Sequence, residues 1–369
     1  MSKVTNFGIP FFFPPKRGNQ QPQSCVIIHI CNTIVMKRRF CCWIYAALTL
    51  ALGGSATSCI YDGEGWCPDN LSFTINTDWT DAPDASPEGM AYIFFPNDGS
   101  ELWRFDFPGR TGGNVSMLRG CYRFLSYNDD TYNVLFRGEK NYDTYEAYTS
   151  DTDLLGGIPL AQWGEQRPFD PGERVTLSPD MMWGCAYCSF SLDYCGVRYN
   201  TSPVSPAEAN NVFSPQNILT VKQHPITAHY TYRIENVENL AGVKSMSAAL
   251  SGMAGSIFLA SGRQGSYPST ISVKATICDS TTIAGNFYTF GIPQMPETDN
   301  ILSLFVVIKD GRRFCYRFDV TDQIRSAPDP MNVNILLRGL TLELPDHDDG
   351  TGFEVNVDGW ETIIVNIKG

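Results

Sequence analysis

Three cysteines lie close enough together to suggest chemistry: Cys185 and Cys188 in Trp183-Gly184-Cys185-Ala186-Tyr187-Cys188, and Cys195 seven residues further on. A Cys-x-x-Cys pair serves zinc binding or thiol–disulfide exchange. A zinc ribbon needs a second ligand pair at fixed spacing, and a redox pair sits at a helix start after a strand. Here the flanks read as strand, which turns residues three apart to opposite faces. The spacing therefore favours one disulfide drawing on Cys185, Cys188 and Cys195, or buried free thiols, over a metal or redox centre.

Histidine offers little more. Beyond residue 58 only His224, His229 and His347 occur, the first two facing opposite ways on strand-like sequence. The chain lacks a Gly-x-Ser-x-Gly elbow and an HExxH helix. No catalytic residue, metal site or cofactor is expected, and the chain does not read as an enzyme. The run Asp346-His347-Asp348-Asp349-Gly350 could ligate calcium, but it lacks the alternating carboxylates and distal Glu of an EF-hand loop and reads as a solvated turn.

The one cysteine with strong local context is Cys59. Met36 is followed by basic Lys37, Arg38 and Arg39, an apolar run from Phe40 to Leu52, and small residues Gly53 to Ala56. That is the order of a secretory signal, and the run is shorter than the roughly 20 residues that span a bilayer. The following Ala56-Thr57-Ser58-Cys59 resembles the lipobox of bacterial lipoproteins, in the looser form common in Bacteroidetes. The resemblance implies a signal peptide over 36–58, cleavage before Cys59, a diacylglyceryl thioether and an acylated (palmitate-type) amine on Cys59, and outer-membrane lipid as a partner. Two or more acyl chains give stable anchoring. Asp62 and Glu64 resemble the acidic signal that sends such lipoproteins to the cell surface. Residues 1–35 show neither signal nor domain pattern, and translation is expected to begin at Met36.

Charge marks the same boundary. Residues 1–58 hold six of the 27 Lys and Arg and none of the 39 Asp and Glu, leaving 21 basic against 39 acidic residues after it, a net of −18. Such a surface repels nucleic acid and anionic head groups.

Beyond a tether at 59–69, short alternating segments recur, such as Leu71, Phe73, Ile75 and Leu102 to Phe107, separated by turn signals such as Asn97-Asp98-Gly99. The pattern is all-β, that of antiparallel sandwiches. Prolines 203, 206 and 215 suggest a linker over 201–217, dividing a sandwich at 70–200 from a second at 218–369. In the second, Ile226, Ala228, Tyr230, Tyr232 and Ile234 alternate with polar residues, and Asp310-Gly311 between apolar runs predicts a hairpin.

Three patches carry a further likeness: Gly120-Cys121-Tyr122-Arg123-Phe124-Leu125-Ser126-Tyr127-Asn128 with Asn133-Val134-Leu135-Phe136-Arg137-Gly138; Ala249-Leu250-Ser251-Gly252-Met253-Ala254-Gly255-Ser256; and Gly352-Phe353-Glu354-Val355-Asn356-Val357-Asp358-Gly359-Trp360. Together they resemble the FimB-like, fimbrillin-related lipoproteins of Bacteroidetes, several branches of which are known only as domains of unknown function. The resemblance implies two tandem transthyretin-like Greek-key β-sandwiches. It also implies a surface-exposed, outer-membrane anchor or accessory subunit of type V fimbriae that engages a fimbrial subunit by β-strand complementation. The alternative is a lipid-anchored module binding glycan or host protein. Exposed aromatics grouped on one face would favour glycan, and an apolar groove beside an incomplete sheet edge would favour the anchor.

Overall fold

The order of apolar residues along each strand dictates which faces are buried, and from this the layers follow. The computed structural model describes residues 70–155, 158–160, 172–201, 211–294, 298–344 and 360–365, all within one compact unit, Cys67–Gly369. The signal region, Cys59, Asp62, Glu64 and the acidic run at 346–350 lie outside the described residues.

The first half opens with β1 (Asn70–Asp78), β2 (Gly89–Pro96), β3 (Trp103–Pro108), β4 (Asn114–Leu118) and β5 (Gly120–Asn128). Then come β6 (Val134–Arg137), β7 (Glu146–Thr149), the two-residue strands β8 (Leu154–Leu155) and β9 (Ile158–Pro159), and β10 (Arg174–Leu177). It closes with β11 (Trp183–Asp193), β12 (Gly196–Asn200), β13 (Asn211–Ser214), β14 (Ile218–Lys222) and the short β15 (His224–Pro225). One sheet runs β13-β12-β11-β5-β2-β3, and a small sheet, β14-β1-β4, lies on it. Phe73, Ile75, Val115, Met117, Leu219 and Val221 of the small sheet pack on Met90, Tyr92, Phe94, Phe124, Tyr187 and Phe190 of the large one.

β2 is buried from Met90 through Phe95 without a break. Strands covered on one face alternate, so a continuous apolar run signals cover on both. The second cover comes from a sheet in the order β6, β7, then β18 (Ser256–Phe258) and β19 (Arg263–Gln264) of the second half. Ala91, Ile93, Phe95, Leu125 and Tyr127 pack there against Tyr145, Ala147, Ile257 and Phe290.

The second half also holds β16 (Ala228–Glu238), β17 (Val243–Ala254), β20 (Pro268–Val273), β21 (Thr276–Asp279) and β22 (Thr282–Thr289). It ends with β23 (Ile301–Ile308), β24 (Arg313–Asp319), β25 (Asn332–Thr341) and β26 (Trp360–Ile364). Sheet β10-β20-β17-β23-β24-β26 packs on β21-β22-β16-β25. Tyr230, Tyr232 and Ile234 point into this core as the alternation requires. The Asp310-Gly311 turn joins antiparallel β23 and β24, with Gly311 at φ 96°. Only a five-residue helix, Thr321–Arg325, interrupts the strands with α-geometry among the described residues.

The division between the halves differs from the expected one. β13 lies inside the expected linker, β14 pairs in parallel with β1, and β15 pairs with β11, so the first sandwich extends to about residue 225. Pro215 directly follows β13, an edge strand, and edges are where a sheet tolerates proline. Nor are the halves merely in tandem. β10 pairs in parallel with β20, and β7 pairs with β18, so each half donates a strand to a sheet of the other.

At this seam one row of side chains runs Arg137, Glu146, Phe258, Arg263 across β6, β7, β18 and β19. Glu146 is buried and takes two bonds from Arg137, Nε at 2.6 Å and Nη2 at 2.8 Å. Burial alone would raise its pKa, but the bonds from Arg137 and Ser256 hold it below the ordinary carboxylate value. A carboxylate with a depressed folded pKa adds stability above its unfolded pKa and loses it as pH falls through the folded one. Because Arg137 is half exposed, Glu146→Gln is expected to cost only about 1–2 kcal/mol at neutral pH. Urea unfolding of both proteins should show that gap narrowing below about pH 4.5; a gap independent of pH would refute the charge lock.

Candidate functional site

The thiols that could have made a site do not converge. Cys185 faces the first core, where its Sγ lies 3.5 Å from Ser126 Oγ and burial pushes its pKa up to about 12. Cys188 sits at a bulge between Tyr187 and Phe190, half-buried, and Cys195 is exposed in the β11–β12 turn, its N–H donating to Asp193. All three are free, the second of the two arrangements expected for this cluster. Strand geometry turns Cys185 and Cys188, three apart, away from each other, and a buried thiol with a raised pKa is inert. Among the described residues no group of three or more His, Cys, Asp or Glu is placed to hold a metal, and no helix is long and apolar enough to cross a membrane.

Among the described residues the tryptophans do not make an exposed platform either. Trp79 and Trp183 pack edge to face at 6.4 Å, and Trp360 is buried against Phe305. Trp103 belongs to a different arrangement, built at the open side of the first sandwich.

β3 alternates Trp103, Phe105 and Phe107 inward with Arg104 and Asp106 outward, where the two charges pair at 2.9 Å. On neighbouring β2 the inward residues Met90, Tyr92 and Phe94 are fully buried, yet on β3 all three rings are only half-buried. The cause is a mismatch of widths: among the described residues a three-stranded sheet, with β4 at its edge, lies on a six-strand path. The ring of Phe107 abuts the Gly113 backbone beside β4, so closely that a Cβ at Gly113 would overlap it. Trp103 and Phe105 stack beside it at 6.4 Å. The result is an apolar shelf along the unpaired edge of β4.

The hydrogen-bonding sense of that edge follows from its register. The Ile75 N–H donates to the Gly113 carbonyl at 2.8 Å, and antiparallel pairs alternate between bonded and non-bonded positions. Val115 and Met117 therefore bond to β1, while Asn114, Ser116 and Leu118 turn their backbone groups outward. The Leu118 carbonyl already accepts from the Tyr122 hydroxyl at 2.6 Å. The outward groups of Asn114 and Ser116 face the space above the aromatic shelf.

Edges invite pairing with other chains, and proteins blunt them with charge or proline. The other edges of this sandwich are blunted: β3 carries Arg104 and Asp106 and ends at Pro108, β14 ends at Lys222, and β13 is followed by Pro215. β4, Asn-Val-Ser-Met-Leu, has neither within the strand; Arg119 follows at its end, with its guanidinium over the Tyr194 ring. The sequence signals the alternation of residues 103–107, but the missing cover depends on how many strands lie opposite, which no local pattern records.

Comparison with known proteins places this geometry. A candidate fimbrium anchoring subunit, Fim4B of Bacteroides ovatus, is 30% identical over 109 residues; the match spans 30% of this chain and 29% of that protein's length. A crystal structure of a candidate adhesin from Bacteroides ovatus shares the fold at a TM-score of 0.55 and 21% identity, over 80% of this chain and 99% of that one. Residues 66–274, more than half of the chain, match the family of the domain of unknown function DUF5119, and the chain belongs to that family.

Proposed function

We propose that the chain is an anchor or accessory subunit of a fimbrium. It is held at the outer surface of the outer membrane by acyl groups on Cys59 and accepts an extended segment of a fimbrial subunit along β4. The observation that carries this reading is the row Trp103, Phe105, Phe107, half-buried beside an edge strand with outward backbone groups and no charge or proline within it. An added strand would bond to Asn114 and Ser116 and lay alternate side chains on the shelf, the arrangement of β-strand addition. If about a quarter of each ring's ~200 Å² is uncovered, closure removes about 150 Å² of apolar surface, roughly 4 kcal/mol before ordering losses. The name of the matched Bacteroides ovatus relative supports the fimbrial assignment.

The test uses cells fed a radioactive fatty acid and grown under fimbriating conditions. The wild type should carry label and Cys59→Ala should not, and the wild type extracted from outer membranes should bring a fimbrial subunit with it. Equal labelling of both proteins refutes the anchor; extraction without a fimbrial subunit refutes the assembly role.

A further inference from the structure

The outward face of the second sandwich's smaller sheet carries residues that its stability does not explain. Asn286, Thr231 and Asn334 form one row across β22, β16 and β25. Asparagine is depleted in strands, where it competes with the ladder for hydrogen bonds. Here two flank one threonine, whose hydroxyl donates to Asn334 Oδ1 at 2.7 Å, leaving the Asn334 amide N–H groups to face outward. Local rules broken without a structural gain mark functional positions.

The rows on either side complete a pattern. One is the cross-strand pair His229 and Tyr288, half-buried, with ring centroids 5.2 Å apart. Ser178 fixes its position: its hydroxyl accepts from the Tyr288 N–H and donates to the Tyr288 carbonyl, each at 3.0 Å. On the other side, Arg233, Ala284 and Thr276, with Lys274 and Asn286, line an open groove of about 510 Å³. That volume is within the range of small-ligand pockets, roughly 300–1,000 Å³. Lys274 makes no ion pair among the described residues, whereas Arg233 shares Glu235 with Arg338. Rows two residues apart are about 7 Å apart, so the ring pair and the groove that holds Lys274 are separated by about 14 Å.

We propose that this face binds a short acidic oligosaccharide. A sugar ring offers an apolar C–H face for Tyr288 and hydroxyls for the amides of Asn286 and Asn334. A carboxylate or sulfate substituent two rows away meets Lys274 in the groove. Other occupants fit less well. The net charge of −18 beyond residue 58 opposes a long polyanion such as nucleic acid. A row of amides and hydroxyls lacks the apolar centre of a protein interface. The face belongs to the second sandwich, so it is separate from the β4 edge.

Calorimetric titration of the intact processed chain with three tetrasaccharides tests this: a galacturonic acid tetramer, a chondroitin sulfate tetrasaccharide and neutral cellotetraose. One or both acidic probes should bind at least tenfold more tightly than the neutral one, and which of them binds distinguishes carboxylate from sulfate. Lys274→Gln should remove that preference, and Tyr288→Ala should weaken every probe tenfold or more. Both side chains lie outside the core, so unchanged melting of the variants will show that the fold is retained. No binding of either acidic probe at millimolar concentration, equal affinity for the neutral probe, or affinities indifferent to both substitutions would overturn the proposal.

Discussion

Ser116→Pro is expected to abolish capture of a fimbrial strand while leaving the sandwich folded. The register places the Ser116 N–H on the open side of β4, so proline removes a donor that β1 does not use. Its fixed φ suits an edge strand. The folded protein should lose no more than about 1 kcal/mol, within the range of surface substitutions away from special features, whereas recovery of a fimbrial subunit from outer membranes should fall at least tenfold. The mirror substitution Val115→Pro removes an inward donor and should destabilise the sandwich outright. If Ser116→Pro recovers the subunit as well as the wild type, the β4 edge is not the docking strand.

Among side-chain truncations, the largest loss of stability is expected from Phe94→Ala. Phe94 is fully buried and its ring lies 4.9 Å from Phe124, 5.0 Å from Phe190 and 5.7 Å from Phe73, with Phe105 and Tyr122 just beyond 6 Å. It is the point where both sheets of the first sandwich meet the aromatic shelf. Removing a buried phenylalanine costs about 3–5 kcal/mol, and neighbours as rigid as these rings collapse poorly into the space. Guanidinium unfolding should show a lower midpoint with an unchanged slope. A loss below about 2 kcal/mol would mean that the cluster repacks and that the shelf is softer than its geometry implies.

Much of the fold was legible in short stretches. The alternation through Tyr230, Tyr232 and Ile234 predicts a half-buried strand, and Asp310-Gly311 predicts the hairpin, because both are set by neighbours a few residues apart. The family likeness read from the Gly120 to Asn128 and Ala249 to Ser256 patches is borne out by the family match over residues 66–274. What failed depends on distant partners. Prolines 203, 206 and 215 look like a linker in either of two settings, between domains or beside an edge strand, and only the pairing of β13 and β14 decides. The cysteine cluster admits a disulfide or free thiols by spacing, and the side chains diverge about a bulge that the sequence does not announce.

The candidate site was least legible of all. Trp103, Phe105 and Phe107 read as an ordinary core-facing row, and among the described residues their partial exposure goes with a sheet of three strands opposite a longer one, a property of two sheets together. The row Asn286, Thr231, Asn334 is visible in sequence only as two residues with poor strand preference, separated by 48 positions from each other.

The exchange of strands between the halves also sets a timetable for folding. β10 leaves the ribosome or the export channel roughly ninety residues before β20, the partner that completes its pairing, and β7 waits still longer for β18. The first half therefore reaches its final form only after roughly the opening third of the second, through β20, has emerged.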